Sequence, residues 1–130
     1  MEKYVAKEPK IGDIVKVEIS NKIYHFGIYL GDDKIIQYGL AKDFLNTNKE
    51  DVEVLISSMD EFLDGKMALV RVYSLSEKLK KNKTKKIISL AMNRLGEKKY
   101  DPIENNCEHF VNECVFNKHI SEQANKYLKK

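Results

Sequence analysis

The sequence predicts an α+β fold in which a small antiparallel sheet packs against C-terminal helices. In the first half of the chain, apolar residues alternate with polar ones, a pattern typical of half-buried strands. From Thr84 onward the apolar residues recur at helical spacing instead. Because the strands precede the helices rather than alternating with them, we expect an antiparallel sheet.

The strands are separated by recognisable turns. Gly12 and Asp13 form a turn that opens the fold, and residues 39–51 read as a loop. A helical turn is expected at residues 58–63. Strands are predicted at residues 14–19, 23–30, 34–38, 52–56 and 67–73.

Two amphipathic helices follow the strands. The first stops at Gly96, a residue that commonly ends helices. The second begins after Asn105 and Asn106, and the tail, residues 117–130, is also expected to be helical. The apolar stripe of the first helix is Ile87, Ile88, Ala91, Met92 and Leu95, and that of the second is Phe110, Val111, Cys114 and Val115.

Length and composition indicate one soluble domain. The chain has 130 residues, of which 42% are hydrophobic and 33% charged, so we assign a single domain to residues 1–130 with its core at about 12–117. A membrane span needs roughly 20 apolar residues, and no stretch approaches that length. The charged N-terminus does not resemble a signal peptide, so a cytoplasmic monomer is expected. The excess of 23 basic over 20 acidic residues is too small to indicate nucleic acid.

The two cysteines are expected to be free thiols in a reducing compartment. Cys107 and Cys114 are seven residues apart on one predicted helix, which separates them by roughly 10 Å, too far for a disulfide. Neither a CxxC nor an HExxH motif is present, so we expect no metal site and no cofactor.

Cys107 is a candidate nucleophile. It follows two good N-cap residues and precedes the apolar stripe of a helix. Free N–H groups and the positive end of the helix dipole favour a thiolate at this position, and the same N–H groups can form an oxyanion hole. A lone cysteine at a helix start is more often a small buried hydrophobe, so the position needs a base nearby.

His25 is the candidate general base, and Gln37 is the candidate residue that orients it. Side chains alternate along a strand, so His25 and Gly27 share one face, while Phe26 and its alternate neighbours pack on the other. A three-residue loop at residues 30–32 puts Gln37 opposite His25, where its carbonyl oxygen can accept from the imidazole. Since Gly27 leaves that face uncrowded, we expect the cysteine helix to approach there.

Two strings resemble motifs of the lecithin:retinol acyltransferase family, which includes the H-rev type phospholipase/acyltransferases. Residues 106–113 (NCEHFVNE) resemble the family's nucleophile motif, and residues 24–32 (YHFGIYLGD) resemble its histidine strand. Gly12 and Asp13 resemble the pair that opens its first strand. The resemblance implies a circularly permuted relative of NlpC-type papain-like peptidases.

The resemblance also implies an activity. Cys107 would attack an acyl carbonyl to form a thioester, His25 would act as base and then acid, and Tyr24 would be an oxyanion donor. The substrate would be phospholipid, with peripheral membrane contact. Gln37 stands where the family usually has a second histidine, and the tail lacks the apolar anchor of many animal members. A peptidase or amidase using the same residues, and a non-enzymatic binding module, remain alternatives.

The remaining chemically active residues have structural interpretations. His109 is expected to support the cysteine helix, His119 to lie on the surface and Cys114 to lie in the core. Phe44 and Leu45 suit an acyl chain at the rim of the site. The basic run reads as a solvated connector, with an anionic membrane as the alternative; it contains Lys78, Lys80, Lys81, Lys83, Lys85 and Lys86.

Overall fold

The computed structural model describes residues 2–41 and 48–128. In this part of the chain, six strands form one antiparallel sheet in the order β1-β6-β2-β3-β4-β5, which confirms the predicted α+β class. The strands are β1 (Lys3–Val5), β2 (Ile14–Ser20), β3 (Ile23–Gly31), β4 (Lys34–Tyr38), β5 (Val54–Ser58) and β6 (Leu69–Val72). The helices are α1 (Met59–Leu63), α2 (Leu75–Lys80), α3 (Thr84–Asn93), α4 (Cys107–Phe116) and α5 (Glu122–Leu128).

Most predicted elements are present, and two were not anticipated. The fifth strand, β5, begins two residues later than predicted, at Val54. β1 lies before residues 12–117, where the core was expected, and pairs with β6 through Tyr4 and Arg71. α2 lies in the segment read as a connector, and a reciprocal capping box between Ser74 and Glu77 starts it. Phe44 and Leu45 lie outside the described residues.

The sheet buries both of its faces. One face packs against α3 and α4, and the other packs against α1. Full burial of one such aliphatic or aromatic side chain contributes about 1.5–3 kcal/mol, so each face is a substantial source of stability. The first face includes Ile14, Phe26, Ile28, Ile36, Phe110 and Val111, and the second includes Val15, Val17, Ile35, Val70, Met59 and Phe62.

Ion pairs fix α4 against the end of α3. The Arg94 guanidinium, just after α3, binds Glu97 at 2.8 Å and also pairs with Glu113 of α4. It lies 5.0 Å from the ring centroid of Phe110, so it also packs on the helix. Arg94 further donates to Asn105 at 3.3 Å, in the loop that leads to Cys107. These contacts hold the start of α4 in place relative to the sheet.

Both cysteines are buried free thiols, as expected, and Cys114 lies in the apolar cluster between α4 and the sheet. Among the described residues, no helix is both long enough and apolar enough to cross a bilayer. The cytoplasmic location and the monomeric state stay predictions.

Candidate active site

The site forms where β4 separates from β3. β3 and β4 pair from Gly31 and Lys34 to Gly27 and Gln37. Alternate residues of a strand direct their backbone groups to opposite neighbours, and Tyr29 bonds Asp13 on the β2 side at 3.0 Å. The backbone N–H and C=O groups of the even-numbered residues of β3 therefore point toward β4. Tyr24 and Phe26 lie beyond the last pair that β3 forms with β4, and we call these two residues the open edge of β3.

Cys107 is the first residue of α4, and its sulfur reaches this open edge. Phe26 and Cys107 lie in the same buried cluster, and the Phe26 backbone N–H is near enough to the Cys107 thiol to act toward lowering its pKa. The side chain of Asn106 caps the helix by accepting from the N–H groups of Glu108 and His109 at 2.9 and 3.0 Å. The predicted N-cap is thus confirmed, and it fixes the sulfur beside β3.

His25 and Gln37 meet on the α1 side of the sheet. His25 Nε2 lies 2.7 Å from Gln37 Oε1. The imidazole also packs against the ring of Phe62 of α1, with 5.4 Å between the ring centroids. His25 is 2% exposed and Gln37 is fully buried, so the hydrogen bond is shielded from water. His25 directly precedes Phe26, whose N–H faces the Cys107 sulfur.

A further hydrogen bond fixes the orientation of the Gln37 amide. Gln37 Nε2 donates to Ser57 Oγ at 2.5 Å, and Ser57 Oγ donates to the Ser58 carbonyl at 3.0 Å. Because the amide nitrogen is directed at Ser57, its oxygen faces His25 and accepts from Nε2–H. This network favours the imidazole tautomer with the proton on Nε2. Nδ1 is then the nitrogen that can accept a proton.

Two geometric expectations were wrong. Gln37 pairs with Gly27 rather than with His25, so the two polar side chains meet diagonally across the strands. The cysteine helix does not approach over Gly27 either. A Cβ at Gly27 would lie 2.8 Å from Ile35 Cδ1, so that space is filled. α4 packs on the opposite face, and its thiol comes to the sheet at the open edge.

Burial determines the protonation state of the candidate nucleophile. Cys107 is 2% exposed, and desolvation raises the pKa of its thiol to about 12, although the N–H groups of Phe26 and Glu108 act in the other direction. The predicted helix-terminus effect therefore exists but is outweighed by burial. The Asn106 cap also occupies the N–H groups of Glu108 and His109, which corrects the expectation that they line an oxyanion hole.

The side chain of Tyr24 lies on the α4 side, where it packs against the cluster that contains Cys107. The Lys16 ammonium sits 4.0 Å from the centroid of the Tyr24 ring. The role of Tyr24 as an oxyanion donor stays a prediction.

Both histidines outside the site have structural contacts. His109 Nδ1 accepts from the Asn106 N–H at 3.0 Å and completes the α4 capping box, which confirms its expected structural role. Its ring stacks on His119, which is half exposed and pairs with Glu113.

Sequence reasoning missed Ser57 and Gln123. Ser57 lies beyond the predicted end of β5. Extending the alternation of buried and exposed residues past residue 56 would have placed Ser57 in this strand. Gln123 comes from the tail and bonds the backbone of Tyr24, a contact with no signal in the sequence.

Comparison with known proteins identifies the family. A lecithin retinol acyltransferase family model matches residues 7–120. Lecithin retinol acyltransferase of Rattus norvegicus is 30% identical over 137 residues, which is 89% of this chain and 58% of the relative. The human form is 28% identical with the same coverage, so this chain spans somewhat over half the length of these relatives. Human phospholipase A and acyltransferase 4 is 30% identical over 92% of this chain and 77% of its own length. The chain belongs to the lecithin retinol acyltransferase family.

Proposed function

We propose that this protein is an enzyme that transfers or hydrolyses acyl chains of phospholipids through a thioester on Cys107. The observation that carries the proposal is the hydrogen-bonded unit of His25, Gln37 and Ser57 beside a strand edge that contacts the Cys107 thiol. Names of relatives that include an acyltransferase and a phospholipase support the substrate class.

The proposed reaction transfers the acyl chain twice, first from the lipid to the Cys107 sulfur and then from that sulfur to an acceptor. In the first, His25 Nδ1 takes the thiol proton while the sulfur attacks the ester carbonyl of the lipid. The carbon–oxygen bond then breaks, and the imidazolium gives its proton to the departing lysophospholipid oxygen. In the second, water, an alcohol or an amine loses a proton to His25 and attacks the thioester, which releases Cys107 as the thiol.

The pKa of Cys107 bears on the first step. In the closed structure the thiol is neutral near pH 7, because burial raises its pKa to about 12. Deprotonation by His25 must therefore accompany attack, or follow admission of polar groups to the site. Gln37 assists by holding the Nε2–H tautomer. The backbone N–H of Cys107, which the Asn106 cap leaves uncovered, is suited to stabilise the oxyanion.

A peptidase or amidase is the second candidate, because the open edge of β3 suits an amide. Gln123 bonds both the N–H and the carbonyl of Tyr24, as a strand of substrate would in β-augmentation. A peptide bound there would run past the Cys107 thiol. The same residues would then cleave an amide bond, with His25 protonating the leaving amine.

We further propose peripheral contact with an anionic lipid surface through α2. Leu75 and Leu79 lie one turn apart on this helix, and their side chains are 77% and 83% exposed. Exposed lysines surround them, and anionic lipids attract such segments by about 1 kcal/mol per charge. The exposed lysines are Lys78, Lys80, Lys83, Lys85 and Lys86.

Intact mass measurement tests the reaction. The protein is incubated with mixed-chain phosphatidylcholine or with a peptide panel, beside Cys107→Ala and the matched Cys114→Ala variant. A fatty-acyl adduct that persists in Cys114→Ala and disappears in Cys107→Ala supports the lipid reaction. Peptide cleavage without a lipid adduct supports the second candidate. Absence of both adduct and turnover contradicts both and leaves a binding module.

A further inference from the structure

Residues 120–128, which we call the C-terminal strap, are bonded to the open edge of β3. The N–H of Tyr24 donates to Gln123 Oε1 at 2.7 Å, and Gln123 Nε2 donates to the Tyr24 carbonyl at 3.2 Å. The carboxamide thus fills the place that β4 leaves at this edge. Tyr24 directly precedes His25, and the next residue on the same edge, Phe26, lies in the same buried cluster as Cys107.

The strap is also bonded to both neighbours of Cys107. Asn106 Nδ2 donates to Ser121 Oγ at 3.1 Å, on one side of the nucleophile. On the other side, Glu108 Oε1 accepts from Ser121 Oγ at 2.8 Å and from the Gln123 N–H at 3.0 Å. Each of these anchors is adjacent in sequence to a candidate catalytic residue. The strap is therefore bonded to residues that directly flank the candidate catalytic residues.

The described structure is closed to a substrate. Cys107 and His25 are each 2% exposed, so a bulky ester cannot reach the sulfur unless part of the protein moves. The strap is suited to move because Ala124 is the one apolar side chain that its described residues bury, and its other anchors are polar, while Tyr127 and Leu128 are 67% and 64% exposed. Segments with few buried apolar contacts open at low free energy.

Like charges beside the anchor also favour release. Carboxylate oxygens of Glu2 and Glu122 lie within 4.8 Å of that of Glu108. Glu122 belongs to the strap, and repulsion between it and Glu108 opposes docking. Lys16 is close enough to compensate part of this repulsion.

We propose that the C-terminal strap is a gate: its release from Tyr24 and Glu108 exposes the Cys107 thiol, and its docking closes the site. The proposal rests on the proposed function for its purpose, since a gate matters only if Cys107 reacts with a substrate. Exposure of the thiol, however, can be measured without any turnover.

Alkylation of Cys107 by iodoacetamide tests the gate in the full chain. Gln123→Ala removes both side-chain bonds to Tyr24, and about 30-fold faster alkylation of Cys107 is expected from the loss of roughly two ordinary hydrogen bonds. Cys114, buried in the same helix away from the strap, is the internal control and should keep its rate. Tyr127→Ala, an exposed change on α5, is the matched variant and should leave both rates unchanged. Equal Cys107 rates in Gln123→Ala and the unaltered protein would overturn the gate.

Hydrogen exchange in the unaltered protein keeps the test independent of how well the variant folds. The amide of Tyr24 should exchange through an opening that is far more frequent than global unfolding, while the amide of Ile28, paired in the sheet, exchanges much more slowly. Exchange of both amides through global unfolding alone would refute the proposal. If the gate passes both tests but no lipid or peptide reacts, the proposed function fails and the gate stands. If the protein turns over substrate but alkylation is ungated, the gate fails and the proposed function stands.

Discussion

Replacing Gln37 with alanine tests whether the amide positions the general base. The variant removes the 2.7 Å hydrogen bond to His25 Nε2 and leaves that group buried without its acceptor. Loss of one partner of a buried hydrogen bond costs about 1–3 kcal/mol. If this loss falls on the transition state, where the ring must accept a proton through Nδ1, kcat/KM should drop by about 5- to 150-fold.

The assay is hydrolysis of a short-chain phosphatidylcholine, with thermal unfolding measured in parallel. Because Gln37 is fully buried and has no surface toward a substrate, the loss should appear mainly in kcat. Ser57→Ala is the graded control. It removes the bond that orients the amide but keeps the Gln37 oxygen, so a smaller loss in the same direction is expected.

The conservative change Gln37→His tests whether residue 37 positions the His25 imidazole or only fills buried space. A second imidazole can accept from His25, and it titrates between about pH 5 and 8, so activity should partly return with an additional ionisation in the pH profile. A folded Gln37→Ala variant with kcat/KM within about twofold of the unaltered protein would refute the role of the amide.

Three further outcomes are expected. Gly27→Ala should destabilise the fold by about 1–3 kcal/mol in urea titrations, because the new Cβ would meet Ile35 Cδ1 at 2.8 Å; an unchanged midpoint would contradict this packing. Changing Leu75 and Leu79 to serine should weaken cosedimentation with anionic vesicles without altering hydrolysis of a soluble ester, whereas equal sedimentation would remove α2 as the contact. The free energy of unfolding should fall as pH rises from 9.0 toward about 12, since burial raises the folded pKa of both Cys107 and Cys114 above the unfolded value, and Cys107→Ala should make that slope shallower without removing it.

Strand periodicity predicted which polar side chains share a face, but it did not predict their register. Gln37 pairs with Gly27 and not with His25, which is a shift of two residues. Side chains alternate along a strand, so this shift leaves His25 and Gln37 on the same face of the sheet. The register depends on the turn. Asp32 and Asp33 both adopt positive φ angles, of 50° and 61°, and form a two-residue loop that follows a bulge between Tyr29 and Gly31 in β3. The three-residue loop at residues 30–32 that was predicted would instead pair His25 with Gln37.

The approach of α4 could not be predicted from local patterns. A glycine in a strand leaves space on its face, but a neighbouring strand can fill that space, as Ile35 does over Gly27. β1 and the docking of the strap were missed for a related reason, although the helical tail itself was predicted. Each is short, and each is placed by a partner far along the chain: β1 by β6, and Gln123 by Tyr24. Such contacts leave no periodic signal.

The separation of β3 from β4 explains how groups on opposite faces of a sheet can belong to one site. Side chains on opposite faces ordinarily cannot meet, since the paired backbone lies between them. Where β4 departs, the edge of β3 is open, and Phe26 at that edge lies in the same buried cluster as Cys107. We propose that His25, one residue away, turns Nδ1 toward that edge during the reaction while Gln37 holds Nε2. The same opening accepts the Gln123 carboxamide, so the edge at which we propose that the thiol and imidazole meet is also the edge to which the strap is bonded.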